Sequence, residues 1–154
     1  MLNLFSVLGM FSIFVLMCIF RKKLAAYIRK IKTPVFILYI ITAAILIVFE
    51  EYVNCEPWCG TVLIPPTLPF LLIELLVVYA IFKLTHAKSV WMPVITYSIF
   101  GIFWETSIGV ASLQLRQLFE QSHVGYFLLL VWVGISYAFV TVLPLTILQN
   151  DKTN

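Results

Sequence analysis

The chain reads as long apolar stretches separated by short polar breaks. Five stretches stand out, at residues 2–20, 34–53, 66–84, 90–112 and 125–148. Each is close to the roughly 20 residues a helix needs to cross a hydrocarbon core of about 30 Å. None alternates apolar and polar residues as a membrane β-strand does. Backbone groups in lipid must be satisfied within the segment, so the stretches are predicted to be helices. The expected architecture is all-α: a multi-pass integral membrane protein built as a bundle of five transmembrane helices. The short connections predict antiparallel neighbours.

Composition agrees with this pattern. The 154 residues are 62% hydrophobic and 11% charged. A soluble domain of that size has too little interior to hide so much apolar surface. No linker or repeat divides the chain, so residues 1–154 are read as one membrane domain. Residues 2–20 carry no charge and form its peripheral helix, and residues 34–148 form its core bundle.

Charge fixes the expected orientation. Nothing basic precedes the first stretch, which separates it from a cleavable signal, and Arg21, Lys22 and Lys23 follow it. With Arg29, Lys30, Lys32, Lys83, Lys88 and Lys152, nine of the ten basic residues fall on one side of the predicted membrane. Arg116 alone falls on the other. By the positive-inside rule the N-terminus lies outside and the C-terminus inside. The net charge of +3 therefore reports topology, and no nucleic-acid surface is expected.

Within the apolar stretches, three glutamates stand out: Glu50, Glu74 and Glu105. A carboxylate at the bilayer centre costs about 3 kcal/mol or more, so such residues face an internal polar site or a partner. The predicted topology puts all three in the outer half of the membrane, which suggests one shared pocket. Helical spacing assigns neighbours. Tyr39 and Ala43 share a face with Glu50. Tyr97, Gly101, Glu105, Gly109 and Ser112 form a small, polar stripe, and Gly134, Tyr137, Thr141 and Pro144 form another. Glu74 sits among aliphatic and aromatic neighbours. Three carboxyls close together in low dielectric do not all stay ionised. Either a bound cation compensates them or at least one stays protonated as a usable acid.

These residues define the candidate site. Glu50, Glu74 and Glu105 are the candidate catalytic groups. Tyr39, Tyr97, Trp104, Tyr137 and Thr141 are the candidate ligand-binding groups. Aromatic walls around a neutral acid suit a sterol-like or isoprenoid ligand, whose double bond the acid can protonate. No metal site is expected, since no intramembrane histidine or aspartate supports the glutamates, and no cofactor is expected. Cys18 reads as packing. Cys55 and Cys59 are either a disulfide closing a short outer loop or two free thiols.

The segments Glu74-Leu75, Tyr79-Ala80, Phe82-Lys83, Trp91, Pro93, Ile95 and Tyr97-Ser98, with Val142-Leu143-Pro144 further on, carry a resemblance. Residues 34–150 resemble the four-helix EXPERA fold of emopamil-binding sterol isomerases and the sigma-2 receptor. An extra N-terminal helix resembles the isomerase branch. The resemblance maps Glu50, Glu74 and Glu105 onto the family's acidic positions. It departs where the isomerases carry histidine, threonine and asparagine, which are here Leu46, Val77 and Tyr137. Those departures touch isomerase activity more than fold. More weakly, the Glu50-Glu51 pair is similar to the paired glutamates of membrane lycopene cyclases, although Phe49 replaces the proline before them. Both resemblances imply isomerisation or cyclisation of an isoprenoid or sterol-like alkene. The alternative reading is a non-catalytic accessory subunit, in a homo- or hetero-oligomer, whose glutamates pair with a larger membrane complex. A proton- or ion-coupled transporter has least support, because no broken helix pair or inverted repeat is visible.

Overall fold

A computed structural model describes residues 4–54, 68–85, 89–107 and 112–149. Cys55, Trp58, Cys59, Pro65, Pro66, His86, Lys88, Gly109 and Lys152 lie outside the described residues. Those described form six α-helices and no strand: α1 (Leu4–Ile28), α2 (Val35–Asn54), α3 (Leu68–Leu84), α4 (Trp91–Ser107), α5 (Ser112–Gln121) and α6 (His123–Gln149). Among them, α2 and α6 are long and apolar enough by themselves to cross a membrane.

Two boundaries differ from the sequence reading. The first helix does not stop near residue 20 but runs through the basic cluster to Ile28. Arginine, lysine, leucine and alanine all favour helix, so charge alone does not end it. The chain turns at Lys30–Thr33, and Pro34 opens α2. Its carbonyl accepts the amides of Ile37 and Leu38, and its missing N–H costs nothing at a helix start. The second difference is α5. Residues 112–121 make a separate amphipathic helix with Leu115 buried and Arg116 and Glu120 exposed.

The architecture is organised around α6, which packs against α1, α2, α4 and α5. From Ala138 to Leu148 every residue of α6 is buried. Its C-terminal half is the part that the neighbouring helices enclose, while Val124, Phe127, Leu128 and Val131 nearer its start stay exposed. Its hidden hydroxyls bond back along the same helix. Thr141 donates to the carbonyls of Tyr137 (2.9 Å) and Ala138 (3.1 Å), and Thr146 to that of Val142 (2.7 Å). Pro144, inside α6, withholds the N–H that would bond Val140.

Small residues let α4 approach α6 closely. A Cβ built on Gly101 would meet the Tyr137 ring at 2.3–2.5 Å, and one on Gly134 would meet Ile102 at 3.2 Å. The two small, polar stripes of the sequence thus face each other. Helix α1 lies mainly along α6 and α2, burying Met10, Met17 and Ala25. Helix α3 packs on α2 and α4, with Leu75, Val78 and Phe82 inward. Phe70, Ile73 and Val77 on its other face stay exposed.

Candidate functional site

The glutamates form three connected groups, each built around a different partner. Glu74 projects from α3 beside α4, and the Tyr97 hydroxyl donates to its Oε2 at 2.7 Å. Tyr39 sets the rotation of α3. Its ring is fully buried between α2 and α3, near Tyr79 (centroids 5.5 Å apart), and its hydroxyl donates to the Leu75 carbonyl at 2.6 Å. Tyr39 therefore braces α3 one residue after Glu74, and it does not line the α3–α4 cleft described below.

Glu105 belongs to the second group. The Tyr137 hydroxyl donates to Glu105 Oε1 at 3.3 Å, across the α4–α6 contact. The Tyr97 and Tyr137 rings lie 5.1 Å apart, tilted by 58°. One aromatic pair thus separates the two acids while each hydroxyl serves its own carboxyl. Gly101 makes room for this pair by giving up the volume beside the Tyr137 ring.

Glu50 anchors the third group at the end of α2. Asn54, one turn further on, donates through Nδ2 to Glu50 Oε1 and to Ser136 Oγ (3.1 Å). It accepts the Trp132 indole N–H at Oδ1 (2.7 Å). Both ends of the Asn54 amide are thus engaged, as a desolvated network requires. Glu105 stands within electrostatic reach of both Glu50 and Glu74 and so joins the three groups.

A cleft gives this layer access to a ligand. About 340 Å³ of space lies between α3 and α4, with Glu74 and Tyr97 at one end and Thr85 and Met92 near the other. Val77, Ile81, Pro93 and Phe100 supply much of its wall. The helix rise between Glu74 and Thr85 is about 16 Å. The cleft is partly open, and the exposed side chains of Val77, Ile81 and Met92 stand at it. Among the described residues no group of three or more histidine, cysteine or acidic side chains is placed to hold a metal ion.

The structure brings some of the expected residues together and separates others. Glu74 and Tyr97 meet at the cleft, and Glu105 and Tyr137 lie behind them in the next layer. Glu50 stands in its own network. Trp104 packs beyond Phe100, with centroids 6.1 Å apart. Thr141 is fully buried in α6 with its hydroxyl bonded to its own helix. The sequence reading missed Asn54 and Ser136. The spacing Glu50–Asn54 was the available signal, since residues four apart share a helix face.

No known family model, curated protein or solved structure matches the chain.

Proposed function

We propose that the chain is an integral membrane protein that binds a sterol-like or isoprenoid amphiphile in the α3–α4 cleft. In this reading α1–α4 and α6 cross the bilayer, with the N-terminus outside, and α5 lies along the outer interface. The observation that carries the proposal is the shape and chemistry of the cleft. Its walls are almost entirely apolar, and a carboxyl held by a phenol stands at one end. Ligand pockets of a few hundred Å³ with few polar groups suit apolar molecules carrying one polar or reactive centre.

The site suits acid chemistry that needs no cofactor. As a neutral acid, Glu74 delivers its proton to one carbon of a double bond. A carbocation forms on the other carbon, near the faces of Phe100 and Tyr97. The carboxylate then removes a proton from the neighbouring carbon, and the double bond has moved with no net gain or loss. Tyr97 orients the carboxyl throughout. Glu105, held by the Tyr137 hydroxyl, lies behind this pair and does not line the cleft.

The accessory-subunit reading draws on one observation: the cleft is open at the side, so a partner's helix can lie against α3. Mass spectrometry of lipids extracted from the purified protein separates the two readings. The ligand reading expects one amphiphile enriched over bulk membrane lipid. A membrane-like lipid mixture, together with a co-purified protein lost on Glu74→Ala substitution, supports the accessory role.

The orientation has its own test. A single cysteine placed at Ile28 is expected to react with a membrane-impermeant maleimide only after the membrane is opened. Labelling from the outside in intact cells would reverse the topology and the depth assigned to the glutamates.

A further inference from the structure

A second cavity, of about 280 Å³, lies where α4, α5 and α6 meet. It is lined by Thr106 of α4, by Leu115, Arg116, Phe119 and Glu120 of α5, and by Tyr126 of α6. Arg116 and Glu120 are exposed and one turn apart on α5. Such a spacing ordinarily permits an ion pair. Here neither makes an ion pair or side-chain hydrogen bond to any other of the described residues. Two aromatic rings, Phe119 and Tyr126, line the same cavity, edge to face with centroids 5.1 Å apart. A cation, an anion and two aromatic faces thus border one cavity without neutralising each other.

We propose that this cavity seats the headgroup of a zwitterionic phospholipid. The phosphate meets Arg116, whose guanidinium fork matches phosphate oxygens. The ammonium meets Glu120 and the aromatic faces, which attract cations. A cation and an anion bordering one cavity are complementary to a headgroup that carries both charges and has zero net charge. An anionic headgroup would satisfy Arg116 and leave Glu120 facing like charge. Position favours a lipid over a soluble zwitterion. Helix α5 joins the outer end of α4 to the start of α6, and its buried Leu115 faces the bundle. On the membrane-spanning reading, on which this inference rests, that is the depth of the outer headgroup layer. The site is separate from the α3–α4 cleft and uses none of its residues.

The test uses the full chain in detergent, incubated with equal amounts of short-chain phosphatidylcholine and phosphatidylglycerol and read by native mass spectrometry. The wild type is expected to retain phosphatidylcholine in preference. Arg116→Gln should weaken that retention about tenfold, as expected for losing one charged hydrogen bond. Glu120→Lys should reverse the preference toward phosphatidylglycerol. Both side chains are exposed, and unchanged thermal melting will show that the variants stay folded. Equal retention of both lipids by the wild type, or variants that bind as the wild type does, would overturn the site. Complete displacement by an equal concentration of phosphorylcholine would overturn the lipid assignment in favour of a soluble ligand. Alkaline carbonate washing of membranes separates the two levels of failure. Release of the chain removes the membrane reading and this site with it, whereas a retained chain without lipid preference removes the headgroup site alone.

Discussion

Gly101→Ala should destabilise the protein by about 3 kcal/mol, the upper end for overpacking a close-packed interface. The melting temperature in detergent should fall by about 5–10 °C. The reason is local. The new methyl would lie 2.3–2.5 Å from Cγ, Cδ1 and Cδ2 of Tyr137. Those atoms are at the base of a ring, not at the end of a flexible chain. The ring cannot swing away freely, because Tyr97 packs beside it and Glu105 accepts its hydroxyl. Separating α4 from α6 would disturb the contact that the Glu105–Tyr137 pair crosses. Gly134→Ala is the matched control. There the nearest atom is Ile102 Cδ1 at 3.2 Å, a side-chain tip that can turn aside. Its melting temperature should stay close to that of the wild type. Equal effects for the two variants would show that the Gly101–Tyr137 approach does not hold α4 on α6.

Glu74→Gln should leave the fold and the ligand in place but remove proton transfer. The amide keeps the length of the side chain, and its oxygen can still accept the Tyr97 hydroxyl. It has no acidic proton to give. General acid–base groups contribute about 10²–10⁴-fold to rate, and a loss of that order is expected. Deuterium incorporation supplies the assay. Wild-type protein holding its co-purified amphiphile in heavy water should place deuterium on the ligand carbon that Glu74 protonates. The Gln variant should hold the same ligand with little deuterium. Equal labelling by both would remove Glu74 as the acid. An unlabelled ligand in the wild type would leave a binding protein without chemistry.

The helices were legible because long apolar stretches without alternation of apolar and polar residues favour helix over strand. The stripes on α4 and α6 were also legible, since Gly101 and Gly134 recur at helical spacing with polar residues and do pack together. Their partners were not. Spacing placed Tyr97 on the face of Glu105, yet its hydroxyl reaches across to Glu74 on another helix. Such a choice depends on how neighbouring helices are rotated, and α3, apolar on every face around Glu74, gives little direction from its own sequence. Tyr39 shows the same limit, for it shares a face with Glu50 but bonds to Leu75 on α3. Thr141 looked like a site residue because hydroxyls in apolar helices are conspicuous, but its own backbone can satisfy it. The central place of α6 was not legible, since α2 and α3 are as apolar as α6 and yet lie further out. The α3–α4 cleft follows from tertiary packing, which no single stretch encodes.

Native mass spectrometry of the wild type beside Val77→Trp tests the ligand cleft most directly. Val77 lines the cleft and is exposed, so an indole there should fill the space while Glu74, Tyr97 and the buried core remain. The proposed account predicts one amphiphile bound to the wild type, little or none bound to Val77→Trp, and similar melting temperatures for the two. The same ligand at the same occupancy on both proteins, or no ligand on either, would contradict it.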